Sequence, residues 1–247
     1  MENLKLAEIP DPKPGPGEAV LEVLYAGLNP ADRYLAEGQY PARPTFPHIL
    51  GRDGIGKVVA VGEACIAVRV GDVRVILRGE AGVNRPGTFA ERVVVPVDYL
   101  AAKPAGWSDT EAAGAALVYC TAYQALTCWE VLPAGSVVLV SGASGGVGSA
   151  SVMLAKAMGH RVVALSRSGE KQKKLAEIGA EICLDPTDSG WVKQLKSQLG
   201  KQRVDLTIDN IGGELLPQMI DTLGDRGRVS VVGRLAGPVR EFNTSTL

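Results

Sequence analysis

Val137-Val138-Leu139-Val140-Ser141 runs directly into Gly142-Ala143-Ser144-Gly145-Gly146-Val147-Gly148. A short, wholly apolar and β-branched run reads as a strand buried on both faces. The glycines read as a tight turn, and residues 146–158 behind them read as a helix. Strand, glycine turn and helix in this order form the first unit of a dinucleotide-binding fold. There Gly145 lets the backbone approach a pyrophosphate, and Gly148 lets the helix pack on the strand. The free N–H groups of the helix N-terminus face the anion. Ala143 stands where the common fingerprint has its first glycine, a change that a negative φ accommodates. Ala143, Ser144, Gly145, Gly146, Val147 and Gly148 are therefore candidate cofactor contacts.

Working outward, strand-like and helix-like segments alternate. Strands are expected at 162–166, 181–184, 204–209 and 228–233, and helices at 169–178, 189–199 and 213–223. Alternation of this kind builds a doubly wound α/β domain with a parallel sheet. A full dinucleotide fold has six such strands, and only five are read before Leu247, so the last strand is expected to be missing. Toward the N-terminus the texture differs. Short β-rich runs at 19–25, 56–61, 73–77 and 89–96 are broken by turns such as Pro14-Gly15-Pro16-Gly17, as in a small β-barrel or sandwich. Ser108-Asp109-Thr110-Glu111 is a capping box that opens an alanine-rich helix to about residue 129. The chain thus divides into a β domain, 1–107, and an α/β domain, 108–247.

Cofactor preference is read at the end of the second α/β strand. An NAD site places an acid about 20 residues beyond the glycines to bond the ribose 2′-hydroxyl. Here the strand ends in Ser166-Arg167-Ser168, with Lys171 following. A hydroxyl, a guanidinium and an ammonium suit a 2′-phosphate, so the expected cofactor is NADPH. Asn210 and Gly233 close the fourth and fifth strands, where this fold holds its ligand. A competing motif overlaps the turn, because Gly142-Ala143-Ser144-Gly145-Gly146 also fits the nucleophile elbow of serine hydrolases. That chemistry needs an acid and then a histidine after the serine, and the only later histidine is His160.

Composition narrows the classes. A formal net charge of −1 gives no field for nucleic acid or anionic lipid. Four scattered cysteines, none in a Cys-x-x-Cys pair, fit reduced thiols and a cytoplasmic setting. No apolar run reaches the roughly 20 residues of a membrane span. The partner is expected to be a small molecule, with no nucleic acid and no membrane.

Ala26-Gly27-Leu28-Asn29-Pro30-Ala31-Asp32, Gly51-Arg52-Asp53-Gly54-Ile55-Gly56-Lys57-Val58, Gly71-Asp72-Val73-Arg74-Val75, residues 117–126 and residues 143–148 follow one another at familiar intervals. Together they resemble the medium-chain dehydrogenase/reductase superfamily, in its zinc-free quinone oxidoreductase (zeta-crystallin-like) branch. The resemblance implies a GroES-like β-barrel catalytic domain followed by a Rossmann domain. It also implies that the chain is truncated at both ends. Relatives carry one more β-strand before the segment matching residues 2–9, and they continue past Asn243-Thr244-Ser245-Thr246-Leu247. A homodimer is compatible with it, although the strand that often forms the dimer seam is the one expected to be missing.

Zinc relatives place a cysteine near position 29 and Gly-His-Glu where this chain has Gly51-Arg52-Asp53. Asn29 and Arg52 offer no metal-binding atom of that kind, the cysteine cluster of the lobe around residues 78–87 is absent, and His48 stands alone, so no metal is expected. Without a Lewis acid, reduction of an electron-poor acceptor such as a quinone or another α,β-unsaturated carbonyl is the accessible chemistry. The expected activity is NADPH-dependent, zinc-independent hydride transfer to such an acceptor. An enoyl-thioester reductase and a cofactor-binding protein without turnover are the alternatives. By resemblance Tyr40 and Asn29 are the leading catalytic candidates, Tyr40 as an oxyanion donor and Asn29 as a donor to a substrate oxygen or the nicotinamide ribose. Arg52 is a further candidate that complements the oxyanion, and Thr121 matches the threonine that lies against the nicotinamide. The sequence leaves the acceptor, the oligomeric state and the completeness of the chain open.

Overall fold

The computed structural model describes residues 4–77 and 80–237 in two compact units, Met1–Leu117 and Val118–Leu247. The expectations that concern Glu2, Arg78 and residues 243–247 lie outside the described residues.

In the first unit β1 (Glu18–Gly27), β2 (Asp53–Val61), β3 (Val73–Ile76), β4 (Arg92–Pro96) and β5 (Leu100–Ala102) form an antiparallel sheet in the order β4-β1-β2-β3-β5. Alternation sorts the side chains. Val93 and Val95 of β4 turn inward with Ala19, Leu21, Val58 and Ile76, while their neighbours face outward. The helix α1 (Pro30–Ala36) follows β1, and α2 (Asp109–Ala113) buries Ala112 and Ala113 with Ile55 and Val75. This packing assigns the capping-box helix to the first unit, so the division falls after Leu117 rather than at 107. Ser108 caps as expected, its hydroxyl accepting the Glu111 N–H at 3.2 Å and its own N–H reaching the Glu111 carboxylate at 2.8 Å. The single helix expected to about residue 129 is instead broken. Gly114 ends α2, and α3 (Ala116–Thr127) starts afresh, since glycine at a helix end costs little and inside one costs about 1 kcal/mol.

In the second unit β6 (Val137–Val140), β7 (Arg161–Leu165), β8 (Ile182–Leu184), β9 (Val204–Asp209) and β10 (Leu223–Val231) form a parallel sheet in the order β10-β9-β6-β7-β8. Both faces are covered, which is why β6 is apolar throughout. Val138 and Val140 meet α3, α4 (Gly146–Ala157) and α5 (Gly169–Glu177). Val137 and Leu139 meet α6 (Trp191–Leu199) and α7 (Leu215–Ile220). The chain leaves β6 toward β7 and β8, then returns to add β9 and β10 on the other side. The carboxyl ends of β6 and β9 therefore flank the switch point at which such sheets bind ligand. Among the described residues no helix is long and apolar enough to cross a membrane.

Candidate active site

In the first unit, β-pairing brings the chemistry together. Gly27 pairs with Asp53 where β1 and β2 meet, which sets Asn29 beside Asp53. Asn29 is the N-cap of α1. Its Nδ2 donates to Asp53 Oδ2 at 3.1 Å, and its backbone N–H donates to Asp32 Oδ2 at 2.9 Å. The other Asp53 oxygen accepts the N–H of Leu117, in the first turn of α3, at 3.0 Å. Both carboxyls are buried, Asp53 to 1% exposure and Asp32 to 4%. Burial pushes Asp53 up to about 6, against the pull of the Asn29 amide and the Leu117 N–H. Burial likewise raises Asp32, opposed by the Asn29 N–H and the charge of Arg52.

Arg52 turns toward Tyr40. Its Nη1 donates to the phenolic oxygen at 2.8 Å, and the guanidinium carbon lies 5.2 Å from the ring centre. Both side chains are partly exposed, and no ion pair is formed between Arg52 and the adjacent Asp53. The guanidinium occupies a lone pair of Tyr40, so the phenolic proton is left to be donated elsewhere. Of the three catalytic candidates, the structure brings Tyr40 and Arg52 into contact. Asn29 instead caps α1 and bonds Asp53.

These residues do not suit a metal. Positions 29 and 52 present N–H donors already engaged with carboxylate and phenol. Among the described residues no three His, Cys, Asp or Glu side chains are grouped to hold an ion.

In the second unit the turn after β6 is built by two glycines with different tasks. Gly142 adopts φ +55°, where a side chain is strained. A Cβ on Gly148 would lie 2.3 Å from the Gly142 carbonyl oxygen, so its hydrogen is what lets α4 sit against the turn. Gly142 was not among the expected contacts, and its positive φ is the reason it matters. Ala143 is buried, has a negative φ and donates its N–H to Leu165 O at 3.2 Å. Ser144, Gly145 and Gly146 are exposed, and Val147 is half-buried. Gly145 is the N-cap of α4 and supplies no side-chain cap, so the first N–H groups of the helix remain available to an anion. A Cβ on Gly145 would touch only the Gly142 oxygen, at 3.3 Å, so the space above this backbone is clear of protein. This bare cradle fits a pyrophosphate.

The serine-hydrolase motif is not realised. Ser144 is not in the left-handed region, and His160 follows the far end of α4, about 18 Å of helix away.

At the end of β7, Ser166 is buried, donating its N–H to Leu184 O at 3.0 Å and accepting Gln172 Nε2 at 2.7 Å on its carbonyl. Arg167 is exposed, Ser168 caps α5, and Lys171 is exposed on the first turn of that helix. The residues that end β7 include no acid, but the fold brings one beside them. Leu165 and Leu184 are register partners, so Asp185 follows β8 beside the end of β7. Hydrogen bonds from Thr187 hold the Asp185 carboxyl below its usual range, and the charge of Arg167 adds to this.

Thr121 is half-buried on α3, one turn beyond Val118, whose side chain abuts Gly146 of the glycine turn. Asn210 spends its side-chain amide on the Ser141 carbonyl at 2.8 Å. A Cβ on Gly233 would lie 2.5 Å from the Asn210 oxygen, so this glycine permits a close approach of backbones. Asp209, which was not among the expected site residues, is a fully buried carboxylate between these residues. Its one visible signal was an acid closing an otherwise apolar strand.

The pattern of the Alcohol dehydrogenase GroES-like domain matches residues 15–105, and that of the Zinc-binding dehydrogenase family matches residues 146–247. The chain is 30% identical to human Quinone oxidoreductase over 94% of its own length and 69% of that protein. It is 33% identical to the human Synaptic vesicle membrane protein VAT-1 homolog over 94% of its length, and it spans 58% of that relative. Among solved structures, Escherichia coli quinone oxidoreductase complexed with NADPH superposes with a TM-score of 0.85 at 26% identity, covering 97% of this chain and 72% of that one. A catalytic sheet domain, a doubly wound dinucleotide domain and these matches lead to one assignment: the chain belongs to the medium-chain dehydrogenase/reductase superfamily, in its zinc-free quinone oxidoreductase branch.

Proposed function

We propose that this chain is an NADPH-dependent, zinc-independent oxidoreductase acting on quinones or related α,β-unsaturated carbonyls. NADPH, when bound, supplies a hydride to the electron-poor carbon of the acceptor. The bare backbone of Gly145 and Gly146 and the N–H groups at the start of α4 hold the pyrophosphate. Arg167, Lys171 and the Ser166–Ser168 backbone receive the 2′-phosphate. Thr121 and Gly233 border the nicotinamide half, with Asn210 bracing the strand end beneath.

The observation that carries the reading is the Arg52–Tyr40 pair. As electrons move onto the acceptor oxygen, the Tyr40 hydroxyl donates to it. Arg52, bonded to the same phenolic oxygen, strengthens that donation and spreads the gathering charge. This does without a Lewis acid what zinc does in other branches. Asn29 and Asp53 tie the start of α1 to β2 and to the Leu117 N–H.

The test is a screen of NADPH oxidation against quinones, enals and enoyl thioesters, with NADH alongside. Turnover of quinones or enals above thioesters supports the reading, and turnover of thioesters alone transfers it to the enoyl-thioester alternative. Tight NADPH binding with no acceptor reduced would make the chain a cofactor-binding protein without turnover.

A further inference from the structure

Asp209 takes no part in that chemistry, yet its carboxylate accepts hydrogen bonds from three residues. It closes β9, is fully buried, and accepts the Ser141 hydroxyl at 2.8 Å and the Ile211 N–H at 3.0 Å. The Gly212 N–H divides between its two oxygens at 3.0 and 3.1 Å. Ser141 extends the network, because its hydroxyl oxygen accepts the Asn210 N–H at 2.9 Å. The Asp209 carbonyl receives the N–H groups of Val232 at 2.8 Å and Gly233 at 3.1 Å, just beyond β10. One residue thus binds together the carboxyl ends of β6, β9 and β10, three adjacent strands at the switch point.

The donors share a location. Ser141 immediately precedes Gly142, and Ile211 lies against it, since a Cβ on Gly142 would come within 2.8 Å of Ile211 Cδ1. The left-handed turn at Gly142 is therefore shaped against the 210–212 loop, and that loop is folded around the Asp209 carboxylate. A buried carboxylate is a costly way to fill a core, whereas a fixed acceptor for several backbone N–H groups is something no apolar side chain provides.

We infer that Asp209 is a positioning residue for the dinucleotide: through Ser141 and the 210–212 loop it holds the glycine turn in the shape that receives the pyrophosphate, without touching the ligand. The inference rests on the reading that this turn binds NADPH. A residue that merely stabilised the fold would move the melting temperature and leave the affinity of the folded fraction unchanged. A positioning residue moves the affinity.

The experiment compares the full chain with Asp209→Asn, Ser141→Ala and the double variant. Asparagine keeps the shape but turns an NH2 toward groups that are themselves donors. NADPH affinity is read by fluorescence titration, and the turn is read independently by amide hydrogen exchange of residues 142–148 without ligand. Asp209→Asn is expected to weaken NADPH about tenfold and to accelerate exchange in the turn, while β7 and β8 keep parental protection. Ser141→Ala should act in the same direction by about threefold. The double variant should be no weaker than Asp209→Asn, because both changes break one chain of bonds. If Asp209→Asn loses its fold by circular dichroism, Ser141→Ala alone decides. Parental affinity and parental exchange in a folded variant would overturn the inference. A parent chain that binds no NADPH overturns the functional reading beneath it, and the exchange measurement tells that failure apart from a turn that Asp209 does not hold.

Discussion

Arg52 donates to the phenolic oxygen of Tyr40 at 2.8 Å while its guanidinium carbon stands 5.2 Å from the same ring. The two contacts fix the phenol from its oxygen and from its ring, so the proton it carries has a defined direction. Tyr40→Phe removes that proton and should lower kcat on a quinone by about a hundredfold, the scale of a lost oxyanion donor. Arg52→Gln keeps a donor for Tyr40 without the charge and should cost about tenfold. If Arg52→Gln is as damaging as Tyr40→Phe, Arg52 itself meets the acceptor. If both variants turn over like the parent, the pair has no role in the chemistry.

Cofactor choice should follow the basic end of β7. NADPH is expected to bind at least about tenfold tighter than NADH, a difference of about 1.4 kcal/mol. Arg167→Ala should weaken NADPH and spare NADH. The charge of Asp185 opposes a 2′-phosphate beside Arg167, so Asp185→Asn should tighten NADPH by about two- to threefold, within the range of an exposed charge pair. Equal dissociation constants for the two cofactors by titration would refute the preference.

Gly145 and Gly148 should fail differently. Gly145 has φ −84°, and an added Cβ would meet only the Gly142 oxygen, at 3.3 Å, so Gly145→Val should fold after a small local shift and lose NADPH. Gly148→Val drives a side chain into the Gly142 carbonyl and should destabilise the second unit by about 3 kcal/mol or more, seen as an early thermal transition. Ser144→Ala should show only a mild binding defect. Calorimetry giving parental NADPH affinity for a folded Gly145→Val would remove the pyrophosphate from this turn.

Asp53 gives a pH signature. Its pKa of about 6 in the folded chain lies above its ordinary value of 3.8, so between those values the folded state holds more protons than the unfolded one. Its ionisation therefore weakens the fold as pH rises through 6, by about 3 kcal/mol in all, and the penalty is relieved on acidification. Urea unfolding at pH 5 and pH 7 should show the stability difference between the parent and Asp53→Asn shifting toward the parent at pH 5. A difference independent of pH would mean that Asp53 is not strained by burial.

Metal analysis of the purified chain should find no stoichiometric zinc, and chelators should leave turnover unchanged. The motive is the pair of engaged N–H donors at Asn29 and Arg52. One zinc per chain would show that other residues assemble a site.

Much of this is legible in the sequence. An apolar run four residues long, a set of glycines and a helix start are local features, and their order specifies a strand–turn–helix unit wherever the chain goes. Repetition of that unit specifies the parallel sheet, and the identities of residues 29 and 52 are enough to remove the usual metal ligands. What stayed hidden depends on register across long separations. Arg52 finds Tyr40 12 positions away, Asn29 finds Asp53 across 24, and Ser141 finds Asp209 across 68. That Asn29 bonds Asp53, that Asp185 stands beside the end of β7, and that Asp209 accepts from Ser141 appear only when strand pairing brings those groups together. Composition and spacing fix which groups the chain carries, but a hydrogen bond needs two of them within about 3 Å, and only the tertiary fold decides that.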